Sequence, residues 1–223
     1  MRTIKQIFFL VLTFLFFAPL ASKGQESDLG GWLIFIGNKK IDSEWNWHHE
    51  VQYRNYNAIG DLEQLLLRTG IGRKVGERSN LLLGYGYIIS ENYINRDDKI
   101  TINEHRIFQQ FITKQKIGKL GLQHRYRFEQ RFVESNDIRL RFRYFLALTY
   151  PIISFENRDD EIYLSAYDEI FLHTDNPVFD RNRLYGAVGY KISPNLKLEL
   201  GYMNQYFERS GRDQVTLSTF FTW

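Results

Sequence analysis

In the stretch IRLRFRYFLALTY, Arg139, Arg141 and Arg143 occupy every second position, and Ile138, Leu140, Phe142 and Tyr144 fill the alternate ones. Neighbouring segments carry Arg125, Arg127, Glu129 and Arg131 in one row and Glu104, Arg106 and Gln110 in another. Glu50, Arg54, Arg68, Glu169, Arg183 and Glu199 sit in segments of the same alternation. Rows of guanidinium and carboxylate groups support two kinds of chemistry. They can line a passage and select small ions by sign, or they can pair across an enclosed space and brace it. Both signs are interleaved except at 139–143, which favours bracing, with Arg141 matched to Glu129 and Arg106 to Glu104.

Other chemistry-bearing residues lead nowhere as specific. Adjacent residues of a strand point to opposite faces, so His48 and His49 cannot chelate one ion together, and His105, His124 and His173 lie on other segments. A lipid hydrolase or acyltransferase would need a serine, a histidine base and an orienting group. Ser165 or Ser218 with His173 or His105 supplies the residue types, but no G-x-S-x-G surrounds either serine. Glycines 70, 72, 84 and 86 form G-x-G pairs inside strands without a following helix, which suits relief of crowding better than a phosphate loop. Asn95, Asp97 and Asp98 lack the spacing of a calcium loop. No catalytic residue, metal ligand or cofactor is therefore expected.

The elements that carry these rows follow one rhythm. From Leu29 onward apolar residues recur with period two, as in EWNWHHEVQYRNY from Glu44, where Trp45, Trp47, Val51 and Tyr53 alternate with polar residues. Turn clusters separate eleven such segments, from GGWLIFIG to QVTLSTFFTW, and no linker divides them. One domain over 25–223 is expected. Residues 1–24 read as a secretory signal: Arg2 and Lys5 precede the apolar run from Ile7 to Leu20, which is too short for a spanning helix of about 20 residues. This leader holds three basic residues and no acidic one, so the remainder balances at 26 of each sign, and attraction to nucleic acid has no support. The chain contains no cysteine, so burial and backbone pairing must hold it together.

Alternation alone does not say which face is inside. A soluble β-sandwich would bury the apolar set and expose the arginines. Against this stand seven consecutive alternate apolar positions from Ile138 to Tyr150. A strand of this length extends about 40 Å, and a tilt near 40° reduces its height to about 30 Å, matching a bilayer. Trp45, Trp47, Phe132, Tyr144 and Tyr150 could form aromatic girdles, and Val215, Leu217, Phe221 and Trp223 alternate to the last residue. The expectation is an all-β, antiparallel, up-and-down transmembrane β-barrel in the outer membrane, with lipid as partner and small solutes or ions as candidate permeants. Closure with both termini at one face calls for an even strand number, whereas eleven segments are visible, so ten to twelve strands are expected. Oligomeric state and cargo are not written in the sequence.

The order of several motifs resembles a family of outer-membrane β-barrel proteins, common in Bacteroidetes-type bacteria, catalogued as domain of unknown function 2490. The carriers are Trp32, EVQYR from Glu50, NEHRIFQQ from Asn103, HRYRFEQR from His124, RLRFRY from Arg139, YDEIFL from Tyr167, RNRLYGAVGY from Arg181 and LGYMNQY from Leu200. The resemblance implies an exported membrane barrel and no particular activity.

Overall fold

The structure is a computed structural model that describes residues 29–134, 138–155 and 160–223; the leader expected over 1–24 lies outside the described residues. Eleven strands follow one another: β1 (Gly30–Lys40), β2 (Trp45–Asn55), β3 (Leu62–Gly76), β4 (Ser79–Tyr93), β5 (Lys99–Ile117), β6 (Leu120–Val133), β7 (Ile138–Ser154), β8 (Glu161–His173), β9 (Phe179–Ser193), β10 (Leu196–Phe207) and β11 (Ser210–Thr222). Each pairs antiparallel with its chain neighbour, and β1 closes on β11 to complete a barrel. No helix occurs among the described residues. The strands are long, 19 residues in β5 and 17 in β7, against a common length of about 5–6.

The closure corrects the expected parity. GGWLIFIG begins a full strand, YPIIS is the end of β7, and the eleven segments are eleven strands. An odd number leaves the first and last running the same way. β1 and β11 accordingly pair in parallel, from Gly30 with Gln214 to Asn38 with Thr222. The termini therefore lie at opposite ends: Leu29 enters at one, and Trp223 leaves at the other, where its carbonyl accepts from Lys40 N at 2.7 Å. Parallel ladders are slightly weaker per residue, but this one leaves neither edge of the sheet unpaired.

Alternation sorts the side chains as its period dictates. Leu83 and Leu200 on the outer wall are 60% and 62% exposed, whereas Leu66, Ile88 and Met203 inside are 0% exposed. His48 turns inward to Asn38, while its neighbour His49 turns outward among Phe35, Trp47 and Trp223. Inward glycines make room for rings. A Cβ on Gly84 would lie 2.2 Å from Phe108, and one on Gly189 would lie 2.2 Å from Tyr163.

Aromatic residues gather at both rims. Trp45, Trp47, Phe221 and Trp223 mark the Trp223 end, where Trp47 donates Nε1–H to Thr69 at 2.7 Å. Tyr56 and Tyr93 pack together at the Leu29 end. Tyr144 departs from the expected girdle: it sits in mid-strand, stacks on His124 and packs tilted against Tyr126, its direct cross-strand partner. The outer wall also carries polar pairs, Gln109 with Gln130, Asp168 with Asn182 and Asn204 with Asp213, each joined across adjacent strands.

Candidate functional site

The lumen is where the rows of charge converge. β6 and β7 pair so that Glu129 lies opposite Arg141, and Arg127 opposite Arg143. Glu129 is completely buried and accepts from Arg141 at 2.6 Å and from Arg143 at 2.7 Å. Arg143 reaches on to Glu169 of β8 at 2.7 Å, and Arg125 meets the same oxygen at 2.7 Å. Around the wall, Glu104 takes hydrogen bonds from Arg106 beside it and from Arg131 at 2.7 Å. Glu50 accepts from Arg68 at 2.7 Å and from Gln52.

Three arginines are held differently. Arg54 donates to Gln52 and Gln64, and its guanidinium carbon lies over Trp32, 3.7 Å from the ring centroid. Arg127 donates to Gln110, and Arg183 to Gln205. For these three, amide oxygens supply the hydrogen-bonded acceptors, and the nearest carboxylates are at 3.6 Å from Arg127 and 3.9 Å from Arg183. Aromatic faces provide the remaining stabilisation, since a guanidinium over a ring is attracted to its quadrupole. Phe171 serves Arg143 at 4.3 Å, Arg183 at 4.7 Å and Arg141 at 5.2 Å. Glu199 forms a separate site, accepting from Tyr163 at 3.0 Å and Tyr185 at 3.1 Å.

The residues singled out in sequence thus share one interior, with two gradations. Arg125 and Arg131 are partly buried, and Arg139, the second residue of β7, is exposed at the Leu29 end. Sequence reasoning missed Asp180, which accepts from Arg141 at 2.7 Å: the preceding segment reads as a loop, yet Asp180 is the second residue of β9. It also missed Phe171, Trp32, Tyr163 and Tyr185. These look like ordinary strand aromatics until the register of the ladders sets Trp32 opposite Arg54 and Phe171 opposite Arg143.

The serine–histidine combinations are not assembled. Ser165 and His173 are eight residues apart on β8, or about 26 Å at strand rise. Ser218 lies near the Trp223 end, and His173 at the other. His105 points outward to Tyr85, on the far side of the wall from both serines.

A closed barrel with an outward apolar wall and an arginine–carboxylate interior defines the class of protein. Within it, residues 29–216 match the model of the family described as "Protein of unknown function (DUF2490)", and the chain belongs to that family. An uncharacterized protein of Methylorubrum extorquens is 31% identical over 166 residues, covering 70% of this chain and 69% of that protein.

Proposed function

We propose that this chain is an integral outer-membrane barrel, exported behind residues 1–24, that acts without catalysis as a braced scaffold with at most a narrow conduit. The observation that carries this reading is the outer wall. Large hydrophobic side chains are exposed on every strand from β1 to β11, including Leu33, Val51, Ile71, Leu83, Ile107, Phe142, Leu164, Val188, Leu200 and Leu217. Apolar patches on soluble monomers rarely exceed a few hundred Å², whereas a wall apolar on all sides and rimmed by tryptophan and tyrosine suits a bilayer. An outer depression of about 340 Å³, lined by Leu81, Phe111, Tyr126, Phe128, Phe142 and Ile170, has the apolar character of an acyl-chain contact.

The interior favours bracing over wide passage. Leu66, Phe108, Glu129, Phe171, Met203 and Gln214, contributed by six strands around the lumen, are each at most 1% exposed. A porin-like channel would leave such residues wet. The test is expression with the leader, membrane fractionation, and single-channel recording on the reconstituted protein. Recovery in the outer-membrane fraction with little current supports the reading. A detergent-free soluble monomer contradicts the membrane assignment, and a large steady current contradicts the braced lumen.

A further inference from the structure

At the Trp223 end the mouth of the barrel carries a charge pattern that the deeper network does not use. Lys40, Lys74, Lys114, Lys116, Lys191 and Lys197 lie within the last few strand residues at that end. All have lumen-facing parity. Lys40 follows Asn38, which bonds inward His48; Lys74 follows buried Gly72; Lys114 and Lys116 continue the row of Gln110; Lys191 follows buried Gly189; and Lys197 precedes buried Glu199. Against these six stand two carboxylates of matching parity among the described strand residues at this mouth, Glu161, directly opposite Lys191, and Glu199, two residues along β10 from Lys197.

The arrangement runs against simple stability. Lys197 stands directly opposite Lys191 in the β9–β10 ladder, and like charges in that position are destabilising. Lys114 and Lys116, on β5, face Lys197 from five strands away in the closed order of the barrel. Lys99, at the other end, is bonded to Asp61, but among the described residues none of these six has an ion-pair partner. The mouth is concave as well as basic: Thr149, Pro151, Glu161, Tyr163 and Lys197 line a cavity of about 70 Å³. Low-dielectric walls around charges of one sign concentrate counter-ions, and lysine binds phosphate as a point charge.

We propose that this lysine collar is a binding site for small polyvalent anions of the phosphate class, taken from solution. The collar faces the lumen, whereas Lys39 has outward parity and Arg73 pairs with Glu44 on the outer wall, so a dissolved anion fits it better than a bilayer headgroup. The proposal needs the barrel but not the membrane, so its failure would leave the preceding reading untouched.

The experiment is calorimetric titration of the full chain, in zwitterionic detergent at low salt, with inorganic pyrophosphate. Saturable binding is expected, weakened about tenfold in the double variant Lys191→Gln with Lys197→Gln. The pair Lys39→Gln with Lys119→Gln removes equal charge from the same end but outside the collar, and is expected to change affinity less than about twofold. No saturable binding, or equal weakening by both double variants, overturns the proposal. A repeat in lipid discs containing phosphatidylglycerol separates the two sources of phosphate. Unchanged pyrophosphate affinity is expected, and suppression by the anionic lipid would overturn the assignment to dissolved anions.

Discussion

Glu129 accepts from Arg141 and Arg143 while fully removed from solvent, and each of these arginines also reaches a second carboxylate, Asp180 or Glu169. A buried ion pair is not strongly stabilising compared with an apolar replacement, but deleting one partner strands the other's charge at a cost of about 3–5 kcal/mol. Glu129→Gln is therefore expected to lower unfolding stability by about that amount, measured by urea titration in detergent; a change under about 0.5 kcal/mol, ordinary for a surface site, would show that Glu129 is not a keystone. The pairing of Glu129 with Arg141 was legible in sequence because strand alternation puts charges of neighbouring segments on one face. The aromatic beds of Arg54 and Arg183 were not. Trp32 lies directly opposite Arg54 in the β1–β2 ladder and Phe171 pairs with β9 beside Arg183, so the register of neighbouring strands decides which guanidinium each ring meets, and alternation alone does not fix that register.

Among the elements, β4 and β5 show how the wall accommodates its contents. Phe108 lies against Gly84, its direct cross-strand partner, with no room for a methyl group. Gly84→Ala is expected to destabilise by about 1–3 kcal/mol through overpacking, and Phe108→Leu in the same chain to recover most of the loss; additive costs in that pair would contradict steric conflict as the cause. The β2–β3 loop supplies a pH dependence. Burial tends to raise the Asp61 carboxyl, but hydrogen bonds from Lys99 and Tyr93 outweigh this and hold it below its ordinary value. Its contribution is thus present above the unfolded carboxylate pKa of about 3.9 and lost as pH falls through the lower folded value. Hydrogen exchange in residues 56–61 is expected to quicken across that acid window, and the Asp61→Asn variant should show no such change. Strand positions were readable because period-two alternation is local. The parity of closure was not, since the joining of β1 to β11 is a contact between the two ends of the chain.

The molecule as a whole turns a familiar pattern inside out: guanidinium groups occupy the centre and leucine, valine and phenylalanine the perimeter. In water this would leave an aggregating surface, whereas in a bilayer both faces are satisfied, with the barrel closing every backbone edge. The chain has no cysteine, so one thiol can be placed at will. Spin labels at Leu83→Cys and Leu200→Cys, in protein reconstituted into lipid, test the outward orientation through relative access to oxygen, which partitions into hydrocarbon, and to a water-soluble nickel complex. Strong preference for oxygen at both positions is the predicted result; preference for the nickel complex, or access to neither reagent because the sites are packed in a dry protein core, would contradict the account.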